Sequence, residues 1–68
     1  MNNNKRIPNT LRFYRKRAYL RQIDLARALG FKSDVRISRW EKGLAYPSVP
    51  NLLKIGKILG VSVEEIYK

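Results

Sequence analysis

Apolar residues recur along the chain at helical intervals and never in strict alternation, a pattern that predicts helices and no strands. Leu11, Tyr14 and Ala18 stand at i, i+3 and i+7, with Arg12, Lys16 and Arg17 off that stripe. They predict a first amphipathic helix of about nine residues, opened by Pro8 and Asn9 where a missing N–H costs nothing. Leu25, Ala26 and Leu29 give a second helix over residues 22 to 29 its core face, and Gly30 closes it. Ile23 lies off that face, either covering the first helix or exposed. Ile37, Trp40 and Glu41, at i, i+3 and i+4, share one side of a third helix. Its expected ends are a Ser33 cap with Asp34 on the positive end of the dipole, and Gly43 behind Lys42. Ser48 is the expected cap of a fourth helix in which Leu52, Ile55, Gly56 and Leu59 repeat and Gly60 ends the run. Leu53 and Ile58 widen its apolar surface beyond one stripe, as in a helix with two neighbours, one of them a second subunit. Ser62-Val63-Glu64-Glu65 reads as a capping box that starts a last turn or two through Ile66 and Tyr67. The expectation is an all-α chain of five short helices joined by tight loops.

Composition narrows what such a domain can do. At 68 residues the chain makes one small domain, with residues 8–68 as the folded unit. There is no cysteine and no histidine, and the five carboxylates are scattered. That excludes a disulfide framework, leaves no clustered metal ligands, and offers no general base with an obvious partner. No enzyme activity and no cofactor is expected. No apolar run approaches the roughly 20 residues of a membrane span, and the N-terminus lacks a secretion signal, so a soluble, cytoplasmic protein is expected.

Charge changes the picture more. Fifteen Lys and Arg face five Asp and Glu, a net charge of +10. Residues 1–43 hold twelve of the basic and three of the acidic side chains (+9), and residues 44–68 hold three and two (+1). The excess lies with the first three helices and points to a polyanion. Nucleic acid is preferred to a membrane surface, because a membrane-binding helix needs a broad apolar face opposite its basic one. Residues 1–7 are polar and aperiodic and predict a mobile arm, in which Lys5 and Arg6 either fray or grip phosphate or a minor groove.

Ala26, Gly30 and Ile37 place a small residue, a turn glycine and a branched apolar wedge between two adjacent short helices. Together with Arg15, Leu20-Arg21-Gln22-Ile23-Asp24-Leu25-Ala26, Leu29-Gly30, Ile37-Ser38-Arg39-Trp40-Glu41-Lys42-Gly43, Pro47-Ser48, Leu52-Leu53-Lys54-Ile55 and Leu59-Gly60-Val61-Ser62, this resembles the phage repressor and Cro-like helix-turn-helix proteins. The resemblance spans about residues 9–67. It implies a compact five-helix, lambda-repressor-like domain of bacterial or phage type that regulates transcription by binding double-stranded DNA, as a homodimer on a palindromic operator. By the same likeness Ser33, Asp34, Val35, Arg36, Ser38 and Arg39 meet base edges in the major groove from a recognition helix over about residues 34–42. Gln22, at the start of the second helix, approaches the DNA backbone, as do Arg21, Lys32 and Lys42. Arg15 and Glu41 resemble a structural pair tying the first helix to the third, with Arg15 near a phosphate as well. Arg36 is the foremost candidate for guanine and Arg39 the second, each with a phosphate contact as the other reading. Asp34 either accepts from cytosine or stabilises the helix start. The same fold also serves antitoxins, whose partner is a toxin, and a basic RNA-binding or coactivator-like adaptor has the same charge.

Three departures from the family pattern set questions for the structure. Six residues, Phe31 to Arg36, separate Gly30 from Ile37 where the family has five. An additional residue in the turn leaves the reading face alone, whereas one inside the helix rotates it by about 100 degrees. Arg21 stands where a Ser or Thr cap is usual, exchanging a cap of about 1 kcal/mol for a phosphate-seeking charge. The loop after Gly43 reads Leu44-Ala45-Tyr46 and not basic, so phosphate contact there falls to backbone amides or Tyr46.

Overall fold

Each helix contributes one wholly enclosed branched side chain to a common core: Leu11, Leu25, Ile37, Ile55 and Ile66 are all 0% exposed. A computed structural model describes residues 5–68, in which α1 (Leu11–Arg17), α2 (Gln22–Ala28), α3 (Val35–Glu41), α4 (Val49–Leu59) and α5 (Val63–Ile66) follow one another with no strand among the described residues. Ala26, Leu29 and Trp40 complete the cluster, and Ile23 packs against its edge. Burial of a side chain of this size stabilises by about 1.5–3 kcal/mol. One such residue per helix is therefore what makes helices this short hold together, since none is stable alone in water.

Two of the predicted caps are present. Ser48 Oγ accepts from the Asn51 N–H (3.4 Å) and Ser62 Oγ from the Glu65 N–H (3.3 Å), starting α4 and α5. The start of α2 at Gln22, Gly43 behind Lys42 and Gly60 behind α4 also stand where expected, and other boundaries move. Helix α1 has seven residues, not nine, because Thr10 stands at its N-cap and Tyr19, at φ 60°, turns the chain left-handed behind Ala18. The Tyr19 and Leu20 N–H groups donate back to the carbonyls of Lys16 and Arg15. This is a Schellman ending with tyrosine in the place that glycine usually takes, which hides it from sequence reading.

Helix α2 ends at Ala28, one residue before the predicted boundary, and α3 starts at Val35. Ser33 is not its cap: Asp34 occupies that position, without a side-chain cap hydrogen bond, and its carbonyl accepts from the Ser38 N–H. The additional residue is thus absorbed in the turn, residues 29–34, and Ile37 and Glu41 keep the register that the apolar pattern requires.

The N-terminal segment is tied down further than expected. The Arg6 Nη1 donates to the Lys42 carbonyl (3.2 Å) and the Ile7 N–H to the Gly43 carbonyl (2.9 Å). Residues 6 and 7 of the expected arm are therefore hydrogen-bonded to the end of α3; Lys5 is exposed, and residues 1–4 lie outside the described residues.

Candidate nucleic-acid interface

Helix α3 is divided cleanly into two sides. Ile37 is fully buried, Trp40 is 5% exposed, and the Glu41 side chain is 4% exposed. Val35, Arg36 and Arg39 are exposed on the other side, Lys42 continues it beyond the last turn, and Ser38 lies half-buried between. Val35 and Arg39 are separated by four residues, as are Ser38 and Lys42, so the exposed set forms one continuous strip. Of the six expected base-reading residues, four sit on this helix; Ser33, exposed, and Asp34, half-buried, precede it in the turn.

The buried side is fastened through charge. Arg15 Nε donates to Glu41 Oε2 and Arg15 Nη2 to Glu41 Oε1 (3.2 Å), while Arg15 Nη1 donates to the Leu20 carbonyl (2.7 Å). The predicted pair is thus a two-pronged ion pair whose side chains are 8% and 4% exposed. Gln22 Nε2 adds a third donor to Glu41 Oε1 (3.0 Å). One carboxylate on α3 thereby holds α1 and the start of α2 together, and each of the three guanidinium nitrogens donates one hydrogen bond. The Gln22 bond to Glu41 was not foreseen, because nothing in the spacing of residues 22 and 41 marks it.

Arg21 at the head of α2 is not uncapped. Asp24 accepts from its backbone N–H (2.8 Å) and from its guanidinium (2.9 and 3.0 Å), the acidic half of a capping box. The Arg21 guanidinium and N–H hold the Asp24 carboxyl down to about 2, so the pair is fully charged near neutrality. Lys32 and Lys42 are exposed at the two ends of α3. Tyr46, half exposed, stacks on Tyr67 with ring centroids 4.6 Å apart. Burial, followed by the neighbouring Tyr46, pushes the Tyr67 hydroxyl up to about 12.

The far end of α3 is clasped by the segment preceding α1. Asn9 Nδ2 donates to the carbonyls of Trp40 (2.9 Å) and Ile7 (3.0 Å), and Asn9 Oδ1 accepts from the Leu11 N–H (3.0 Å). One amide satisfies the first N–H of α1 and a carbonyl at the end of α3. The sequence suggested only that Asn9 opens a helix.

Two short helices meeting across a turn, the second with an anchored side and a basic outer side, define a helix-turn-helix DNA-binding protein. The helix-turn-helix family profile matches residues 11–66, and the chain belongs to that family, of the Cro/C1 type. It is similar to an HTH-type transcriptional regulator of Methanocaldococcus jannaschii, 41% identical over 59 residues that cover 87% of this chain and 88% of that protein. The chain is accordingly a DNA-binding transcription regulator with a compact, lambda-repressor-like arrangement of five helices. No helix among the described residues is long and apolar enough to cross a membrane.

Proposed function

We propose that this protein reads a specific DNA sequence by laying α3 in the major groove, and that it acts by binding and not by catalysis. The observation that carries this reading is the division of α3, with Ile37, Trp40 and Glu41 buried and Val35, Arg36 and Arg39 exposed. Arg36 and Arg39 are suited to guanine O6 and N7, Val35, 58% exposed, to a thymine methyl group, and Ser38 to either kind of polar edge. Arg21, Lys32 and Lys42 supply phosphate contacts that fix register without reading sequence. Gln22 and Tyr46 complete the set for the DNA backbone, and Ser33 and Asp34 approach from the turn.

One helix of this length reads few bases, so the operator is palindromic and the protein binds it as a homodimer, with half-sites about one helical turn, roughly 34 Å, apart. Exposed apolar side chains on α4 support this: Val49 and Leu53, four residues apart on one face, are 69% and 55% exposed, a surface for a second copy to cover. Residues 44–68, which include α4, carry only one net positive charge, so two copies meeting there avoid the repulsion of their basic halves. Binding chromosomal DNA places the protein in the cytoplasm.

Arg36→Ala is expected to cost about 1–3 kcal/mol on the selected site and to relax base preference at one position of each half-site. Fluorescence anisotropy against the selected duplex and its single-base variants measures both. Equal loss on selected and random DNA would remove Arg36 from the reading set.

A further inference from the structure

Phe31 lies in the lengthened turn between α2 and α3, half-buried, with its ring at the edge of Trp40 (centroids 6.0 Å apart, planes at 68°). Trp40 belongs to the core, so this contact fixes the ring from below. The Arg36 Cζ stands over the same ring at 4.6 Å from its centroid. The core thus reaches an exposed arginine on the outer side of α3 through a single aromatic side chain. We propose that Phe31 is a specificity-determining positioning residue, a platform that holds the Arg36 guanidinium ready for a base edge. The proposal rests on the reading of Arg36 as a base-contacting residue.

The physical reason is the cost of ordering. A free arginine on a helix surface samples many rotamers and surrenders that freedom when it docks on a base, and any part already surrendered in the free protein strengthens the specific complex. A ring face is well suited to the task. It attracts the guanidinium through its quadrupole, and a planar group held by its face keeps its N–H donors in the plane, where two can meet guanine O6 and N7 together. A hydrogen-bonding or acidic neighbour would occupy those donors, as Glu41 occupies Arg15. Phe31 also sits within the six-residue stretch Phe31 to Arg36, so the extra turn residue is accommodated where the platform is built.

The test compares Phe31→Leu, Phe31→Tyr, Arg36→Ala and the double variant Phe31→Leu/Arg36→Ala. Each is measured for affinity on the selected duplex, on duplexes changed one base pair at a time, and for thermal stability. Phe31→Leu keeps apolar bulk against Trp40 and removes the ring. It is expected to lower discrimination about two- to fivefold, the size of an exposed cation–π contact, at the one position where Arg36→Ala acts. Phe31→Tyr should retain discrimination, and Phe31→Leu should have no further effect on it once Arg36 is alanine. In the free protein, the ring-current shifts of the Arg36 side-chain protons should disappear in Phe31→Leu and persist in Phe31→Tyr. Unchanged discrimination in Phe31→Leu, with Arg36→Ala still effective, would overturn the platform and leave the base-reading role standing. Loss spread evenly over all positions would also overturn it, marking Phe31 as turn packing. An Arg36→Ala variant with intact base preference would overturn the base-reading role and the platform with it.

Discussion

Glu41→Ala is expected to be the most damaging single change in the protein, lowering stability by about 3–5 kcal/mol, because it leaves the buried Arg15 charge without a counter-charge. The Gln22 amide loses its acceptor as well. A domain of this length has roughly 3–10 kcal/mol in total, so the variant should be largely unfolded at moderate temperature. The midpoint of thermal unfolding should fall by at least about 12 °C. Circular dichroism melts measure this, and salt separates a buried pair from a surface one: exposed pairs are screened within about 10 Å at 0.1 M, whereas a pair only 8% and 4% exposed should respond little. Replacing both partners by apolar residues, Arg15→Met with Glu41→Leu, should recover much of the loss, since the larger cost lies in orphaning one charge. A Glu41→Ala midpoint equal to that of the unchanged protein would contradict this account of how α3 is anchored.

Gly43→Ala should come next, costing about 2–5 kcal/mol, for two independent reasons. Gly43 has φ +76°, a conformation that strains any residue with a Cβ atom. A Cβ built there would also meet the Ile7 carbonyl oxygen at 2.6 Å and its nitrogen at 2.8 Å, both backbone atoms. Backbone cannot rotate aside as a long side chain can, so the strap from Arg6 to Asn9 must lift from the end of α3. The variant should melt earlier and expose the Ile7 N–H to rapid hydrogen exchange. Gly30 separates the two causes: it has φ +86° with nothing within 4 Å of an added Cβ, so Gly30→Ala pays the strain alone and should cost less. Equal losses at the two glycines, with Ile7 still protected in Gly43→Ala, would show that the close approach contributes nothing.

The two sites also show what the sequence could and could not reveal. Core positions were legible because burial imposes a period: Leu11, Leu25, Ile37 and Ile55 each fall on a helical stripe and are enclosed, and Ile66, enclosed as well, follows the Ser62 cap. The Arg15–Glu41 pair was legible through family likeness and through chemistry, since an acid on the face of Ile37 demands a cation. Contacts between distant backbone segments were not. The Ile7–Gly43 bond and the Asn9 amide on Trp40 join residues far apart in the chain, and no local pattern encodes them. Boundaries failed where the punctuation was unusual. Tyr19 takes a left-handed turn without being glycine, and Ser33 looks like a cap but is passed over because the lengthened turn starts α3 at Val35. The stacking of Arg36 on Phe31 depends on the path of that same turn, and the sequence marked Phe31 only as the first of the six residues between Gly30 and Ile37.

The anchored side of α3 bears on function through one question: which residues the outer side presents to DNA. Selection of bound sites from a pool of random duplexes asks it directly. Enrichment of a palindrome is expected, with half-sites about one helical turn, roughly 34 Å, apart and a guanine in each half-site whose preference vanishes in Arg36→Ala. Retention of random duplexes without an enriched sequence, at an affinity set by salt alone, would contradict it.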